Sequence, residues 1–183
     1  MVQSKEFTHL NTQGEVHMVD ISEKNYTQRT ALAYGEIHML EATAEAVQTQ
    51  MIKKGEVLQV ARVAGITAAK RTFEWIPLCH LVALTKCEIQ FDWRNQTCLE
   101  VRCFTKTVGS TGVEMEALTG VQAALLTIYD MCKAIDRGMT MTNIGLLEKN
   151  GGRSGHFIRS SIKSKESDEC CLLYTSDAAD DLT

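Results

Sequence analysis

The sequence contains no apolar run that approaches the roughly 20 residues required to cross a membrane. Its first ten residues lack the basic start and apolar core of a secretory signal, and they lack an arginine-rich presequence pattern. We therefore expect a cytoplasmic protein with no membrane partner.

Basic clusters are also missing. The formal net charge is -4, and no run or stripe of Lys and Arg occurs. An extended nucleic-acid surface needs many clustered cations to neutralise phosphates, so we expect no nucleic-acid partner. A few lysines focused in one cleft would still suffice to bind a small anionic molecule.

No cysteine pair forms a CxxC motif, although the chain has seven cysteines. Their spacing matches neither a small disulfide framework nor a structural zinc site. We expect free and mostly buried thiols. The sequence also shows no constellation typical of a catalytic metal, and we expect no metal and no cofactor.

The chain has 183 residues, of which 44% are hydrophobic, enough to bury the core of one compact domain. We expect that domain to span residues 1–158. Beyond Ser160 the composition shifts to Ser, Lys, Asp and Glu. Residues 159–183 are therefore predicted to be a disordered tail, whose end resembles translated adapter sequence more than an evolved terminus.

Hydrophobic periodicity predicts the first elements of the domain. Apolar and polar residues alternate over Ala31–Ala42, which predicts a strand. Helical spacing predicts a helix over Glu56–Trp75, and Pro77, the only proline, ends it. Two further alternating runs, Thr85–Asp92 and Leu99–Thr107, predict a β-hairpin.

A second helix is predicted over Val113–Arg137, followed by a last strand over Thr140–Lys149. Six apolar residues give this helix one narrow buried face: Val121, Ala124, Leu125, Ile128, Cys132 and Ile135. The order strand, helix, hairpin, helix, strand predicts an α+β fold. We expect its helices to pack on one face of a mainly antiparallel sheet.

Asp130 and Lys133 lie opposite this apolar face and three residues apart, so their side chains are neighbours. A solvated surface ion pair is the ordinary interpretation. Leu126 and Tyr129 share the same sector, however, and a mixed face is typical of a subunit contact or a cleft wall. A partly buried lysine there would be suited to acid or base chemistry.

The start of the same helix carries two acidic residues. Thr111 and Glu114 match the capping box S/T-x-x-E, which is a structural role for Glu114. Glu116 would favour the positive end of the helix. The run Gly109–Gly112 resembles an anion-binding helix start without forming a full P-loop.

Cys79 and His80 are adjacent, and adjacent residues of an extended segment point to opposite sides. A Cys79 nucleophile with His80 as its base is therefore a weak interpretation. His80 alone suits a loop acid, base or ligand donor, or an ordinary loop histidine. Lys54 and Lys149 lie beside glycines, where lysines can approach a phosphate but are more often simply exposed.

Six segments, in order and with compatible spacing between about Phe7 and Phe157, together resemble the MoaC family. They are Met18–Ser22, Lys54–Ile66, Ala68–Thr72, Ile76–His80, Thr111–Thr119 and Ala124–Ala134. Any one of these motifs would be a coincidence, but the complete set is highly specific.

The resemblance implies a ferredoxin-like α+β fold and a lyase of molybdenum cofactor biosynthesis. Members of the family convert 3′,8-cyclo-7,8-dihydro-GTP, which a radical-SAM enzyme supplies, into cyclic pyranopterin monophosphate and pyrophosphate. The resemblance also implies a homohexamer, a trimer of dimers with the active site at the dimer interface. A catalytically silent nucleotide-binding α+β oligomer is the alternative function.

Matched position by position, the resemblance assigns catalytic roles to Asp130, Lys133 and Lys54, with Lys54 contributed across the interface. The implied substrate-binding residues are Leu78, Cys79, His80, Glu114, Met115, Glu116 and Lys149. The sequence departs from the family at Leu81, where proline is usual, and at His156, where an acidic residue is common.

Overall fold

Five strands and four helices build the part of the chain that the computed structural model describes, residues 10, 13–52, 55–153 and 155–160. In chain order they are β1 (Thr27–His38), α1 (Glu41–Gln48), α2 (Val57–Lys70), α3 (Thr72–Trp75), β2 (Lys86–Trp93), β3 (Cys98–Gly109), α4 (Glu114–Cys132), β4 (Thr140–Asn150) and β5 (Phe157–Ile158). None of these helices is both long and apolar enough to span a bilayer.

The strands form one antiparallel sheet with the order β2-β3-β1-β4-β5. β1 pairs with β3 along its whole length, from Thr27 opposite Gly109 to His38 opposite Cys98. The predicted hairpin is confirmed as β2 and β3. Without β5, the strand order and the two helical crossovers are those of a ferredoxin-like fold, which confirms the expected fold class.

One face of the sheet carries the core. Ala31, Ala33 and Ile37 of β1 are at most 1% exposed. Gly35 lies between them, and a Cβ atom there would come within 2.9 Å of Leu125 and Val121, so this face packs directly against α4. Full burial of one large apolar side chain contributes about 1.5–3 kcal/mol, which makes this layer the main source of stability.

The predicted apolar face of α4 is confirmed for five of its six residues, which are completely buried: Val121, Ala124, Leu125, Ile128 and Cys132. Ile135 is instead 53% exposed, because the helix ends at Cys132 and the chain has turned away by that point.

The remaining differences from the predicted elements have local causes. The strand predicted over Ala31–Ala42 ends at His38, and α1 begins three residues later. The helix predicted over Glu56–Trp75 is interrupted at Arg71, whose φ of -116° is not helical. The buried face of α2 includes Gly65, whereas Val60 is 44% exposed.

Gly65 lies where α2 crosses α4. A Cβ atom at this position would stand 2.8 Å from the backbone oxygen of Gly120 and 3.0 Å from Ile89 Cδ1. These distances are too short for any side chain. The absence of side chains at both glycines therefore fixes how closely α2 approaches α4.

Gly65→Ala is expected to destabilise the protein. Overpacking of a filled core typically costs about 1–3 kcal/mol, and the gain in helix propensity of about 1 kcal/mol offsets only part of it. The measurement is the denaturant midpoint by circular dichroism. Gly109→Ala is the matched control, since its added Cβ would meet Thr107 at an ordinary 3.7 Å. Equal midpoints for both variants would contradict the close crossing.

Candidate functional site

A groove opens at the N-terminal end of α4, where two cavities adjoin. The larger cavity measures about 670 Å³ and the smaller about 280 Å³. Both are lined by Lys24, Thr111, Gly112 and Glu114, so these four residues form a shared wall. The two cavities are therefore parts of one continuous surface depression.

The larger cavity is rich in positive charge. Four cations line it, Lys24, Arg29, Lys149 and Arg153, against two acids, Glu23 and Glu114. The loop Ser110–Gly112 completes the wall directly before α4, where the helix dipole is positive. This arrangement favours a multiply charged anion.

Arg29 is the most informative of these cations. Its side chain packs over Gly151 and Gly152, whose φ angles of 96° and 81° lie in the left-handed region that favours glycine. Among the described residues its Nε atom is buried without a hydrogen-bond partner. A buried guanidinium donor without a partner at a cavity wall is suited to an anionic ligand that is not part of the chain.

The sequence did not single out Lys24, Arg29 or Arg153. Lys24 and Arg29 lie five residues apart, but Arg153 is more than 120 residues further along the chain, and no motif spacing connects the three. Only Arg153 carried a local signal, because it lies within the same glycine cluster that drew attention to Lys149.

The smaller cavity brings together six of the predicted substrate-binding residues. Leu78, Cys79 and His80 reach it from the segment after α3, and Glu114, Met115 and Glu116 from the first turn of α4. Lys149, the seventh, lines the larger cavity, with Nζ 4.0 Å from Glu114 Oε1. The structure thus collects all seven at the groove.

His80 is held in one orientation. Its Nε2 atom lies 2.8 Å from the carbonyl oxygen of Val19, a geometry in which Nε2 carries a proton and donates it. The other ring nitrogen is then the atom available to exchange a proton with a ligand. A fixed ring of this kind is appropriate for acid or base chemistry.

Glu116 has the perturbed acidity expected of a proton-transfer group. The residue is only 4% exposed, and burial, together with the negative charge of Glu114, raises its pKa to about 7. A backbone hydrogen bond opposes that rise. Near neutral pH the carboxyl group therefore exists in both protonation states and can donate or accept a proton.

The environment of Cys79 does not favour a nucleophilic thiolate. Burial, followed by the charge of Glu116, raises the pKa of the Cys79 thiol. A neutral thiol is a poor nucleophile, because the thiolate is the reactive form.

The predicted capping box at the start of α4 is wrong. The N-cap residue is Val113, and no side-chain cap hydrogen bond is present. Thr111 instead lines both cavities, and the carboxylate of Glu114 is directed towards Lys149. Because neither Thr111 nor Glu114 caps the helix, both side chains can contact a ligand in the groove.

Asp130 and Lys133 form the ion pair that their spacing predicted, with Nζ 2.6 Å from Oδ1 and both side chains about half exposed. They lie at the opposite end of α4 from the groove. Fourteen residues separate Asp130 from Glu116, a distance of ~21 Å along the helix at 1.5 Å per residue. One chain does not bring the two groups together, and Lys54 lies outside the described residues.

Removing the charge of Glu116 is expected to change how stability depends on pH. The folded state keeps a proton that the unfolded chain releases, so stability falls as pH rises from about 4.5 to about 7. The fall is expected to be about 1–3 kcal/mol. Denaturant unfolding across this range should show that Glu116→Gln abolishes the decline, whereas Glu45→Gln, at an exposed residue of α1, retains it. A stability difference between the wild type and Glu116→Gln that stays constant across this pH range would contradict the burial of Glu116.

Known proteins resemble this chain closely. The model of the MoaC family matches residues 18–152. A cyclic pyranopterin monophosphate synthase of Clostridium acetobutylicum is 52% identical over 158 residues, which cover 85% of this chain and 98% of that protein. Synthases of the same name from Limosilactobacillus fermentum and Bacillus subtilis are 53% and 51% identical, and the matches cover 84% of this chain and 93% and 92% of those proteins. The chain therefore belongs to the MoaC family.

Proposed function

We propose that this chain is a lyase that forms cyclic pyranopterin monophosphate in molybdenum cofactor biosynthesis. Its substrate is 3′,8-cyclo-7,8-dihydro-GTP, supplied by a radical-SAM enzyme, and its second product is pyrophosphate. The observation that carries the proposal is the joining of a cationic cavity to a pocket with acid and base groups. The reaction takes place in the cytoplasm.

The cationic cavity suits the triphosphate of this substrate. Closing the cyclic phosphate forms one P–O bond from a ribose hydroxyl to the α-phosphorus and breaks the P–O bond to the β-phosphate. The leaving pyrophosphate gains charge in that step. Arg29 and Lys149, which line the cavity with Lys24 and Arg153, are placed to stabilise it.

The smaller pocket suits the purine-derived ring system. Opening the imidazole ring and building the pterin require several proton transfers, each accelerated ~10²–10⁴-fold by a positioned acid or base. Glu116, with a pKa near 7, and the oriented His80 are suited to that role. Leu78 and Met115 supply apolar contact beside them.

Asp130 and Lys133 complete the site from a second copy of the chain. The ~21 Å between Glu116 and Asp130 along α4 prevents one chain from presenting both to the same reacting atom. Leu126, one turn before Asp130, is 54% exposed, as expected of a surface that another subunit covers. A two-fold dimer would create two such composite sites, and three dimers would build the homohexamer.

Within the composite site, Lys133 and Lys54 exchange protons with the substrate, and Asp130 orients Lys133. The 2.6 Å contact between Asp130 and Lys133 supports that orienting role. Such a contact fixes the direction of the Nζ protons before substrate arrives.

Lys133→Ala is expected to abolish turnover without unfolding the protein. The assay supplies enzymatically generated 3′,8-cyclo-7,8-dihydro-GTP and follows pterin and pyrophosphate by chromatography. Arg71→Ala is the matched control, since Arg71 also forms an exposed ion pair three residues along, with Glu74. Retained activity in Lys133→Ala would contradict the assignment. No product from the folded wild-type chain would favour a silent nucleotide-binding oligomer instead.

A mixing experiment tests the composite site. Lys133→Ala and Glu116→Ala should each be inactive alone, and refolding them together should restore activity. Random pairing in a two-fold dimer leaves about a quarter of the sites free of both substitutions, so about a quarter of wild-type activity is expected. Absence of any activity in a mixture that forms normal oligomers would mean that both groups act from one chain.

A further inference from the structure

Three metal-ligating side chains converge on the sheet face opposite the core. Glu36 and His38 project from the end of β1, on either side of the buried Ile37, and Cys98 lies directly opposite His38 on β3. His38 Nε2 stands 3.5 Å from Glu36 Oε2 and 3.9 Å from Cys98 Sγ. All three potential ligand atoms lie within 4.8 Å of one another.

We propose that Glu36, His38 and Cys98 bind a divalent cation of the zinc type. Tetrahedral zinc holds its ligands at about 2.0–2.3 Å, which places neighbouring ligand atoms about 3.3–3.8 Å apart. The separations from His38 Nε2 already lie close to this range. One thiolate, one imidazole and one carboxylate form a donor set that zinc accepts, with the fourth position left to water.

Binding involves a defined exchange of protons. The thiol of Cys98 loses its proton to solvent as the sulfur–metal bond forms, and the imidazole binds as the neutral ring. The charges of the thiolate and of the Glu36 carboxylate then balance the charge of the cation. No oxidant or reductant is needed.

Neighbouring groups orient the carboxylate. Asn143 Nδ2 donates to Glu36 Oε2 at 2.7 Å, and the backbone of Asn143 has a φ of 53°. The register of β4 against β1 shifts between Tyr34 and Glu36, as expected of a bulge that redirects a side chain. Outer contacts of this kind fix metal ligands in place.

The guanidinium groups nearest the cluster form their hydrogen bonds with another carboxylate. The guanidinium groups of Arg94 and Arg102 donate to the carboxylate of Glu100, at 2.6–2.9 Å, rather than to Glu36. His38 keeps 44% of its side chain exposed, so an ion can enter from solvent. Thr142 Oγ1, 3.1 Å from His38 Nε2, would give up that contact to the metal.

This cluster shares no residue with the proposed active site: it lies far from the cationic cavity along β1, and on the face of the sheet opposite α4, which carries Asp130 and Lys133. His38 lies nine residues after Arg29 of the cationic cavity along β1, which corresponds to ~30 Å along an extended strand. A cation bridging β1 and β3 there would hold the end of the sheet together. The inference therefore stands independently of the proposed reaction.

The test is titration of the metal-free full-length protein with Co²⁺, followed by absorption spectroscopy. One ion per chain should produce a thiolate-to-cobalt charge-transfer band and the visible bands of a tetrahedral site, and Zn²⁺ should displace them. The background for all variants is Cys170→Ser with Cys171→Ser, which removes the two thiols of the tail. That background protein should bind as the wild type does.

Cys98→Ser should lose the charge-transfer band, and His38→Gln should lose the tetrahedral bands. His38→Gln matters because the exposed His38 can be replaced without disturbing the core, whereas the buried Cys98 is coupled to packing. Asn143→Ala should weaken binding about 10–100-fold, and Cys87→Ser on β2 should change nothing. Spectra unchanged in His38→Gln and Cys98→Ser, or no tetrahedral cobalt at all, would overturn the proposal.

Discussion

The packing of α4 against the sheet and against α2 is the constraint on which the rest of the structure depends. Because Gly35 has no side chain, Leu125 and Val121 of α4 pack directly against the backbone of β1. Because Gly65 has none, α2 contacts α4 at Gly120. Because α4 is fixed on both sides, its first turn is held over the groove. Apolar contacts along the length of α4 therefore determine where the charged groups at its two ends lie.

The groove combines two electrostatic environments that a single open surface would not provide. In the larger cavity cations outnumber acids, so phosphate charge is favoured there. In the smaller one burial makes ionisation costly, which raises the pKa of Glu116 into the neutral range. The proposed reaction needs both, since one part of its substrate loses a charged leaving group while another part exchanges protons.

Much of this arrangement was predictable from sequence, and the failures have physical reasons. Periodicity located β1, the hairpin and α4 because each buries one face, and the i,i+3 spacing sufficed to pair Asp130 with Lys133. Periodicity could not identify Arg29 as a cavity residue. The position of its side chain depends on packing over Gly151 and Gly152, which are distant in the sequence. The capping box failed because its pattern describes only local hydrogen bonds, whereas Glu114 is directed to a residue of β4. Spacing also gave no indication of the cluster of Glu36, His38 and Cys98, because strand pairing brings these residues together.

The length of α4 also matters for the proposed reaction, because the helix sets the distance between the groups at its two ends. The helix fixes both the separation and the angle between the groove at Glu116 and the pair at Asp130 and Lys133. Adding or removing one residue would move the far end by about 1.5 Å and rotate it by about 100°. In the composite site that we propose, such a change would direct Lys133 away from the neighbouring groove, although every side chain assigned to the site would remain present. We therefore expect insertions or deletions within α4 to reduce activity far more than substitutions on its exposed face.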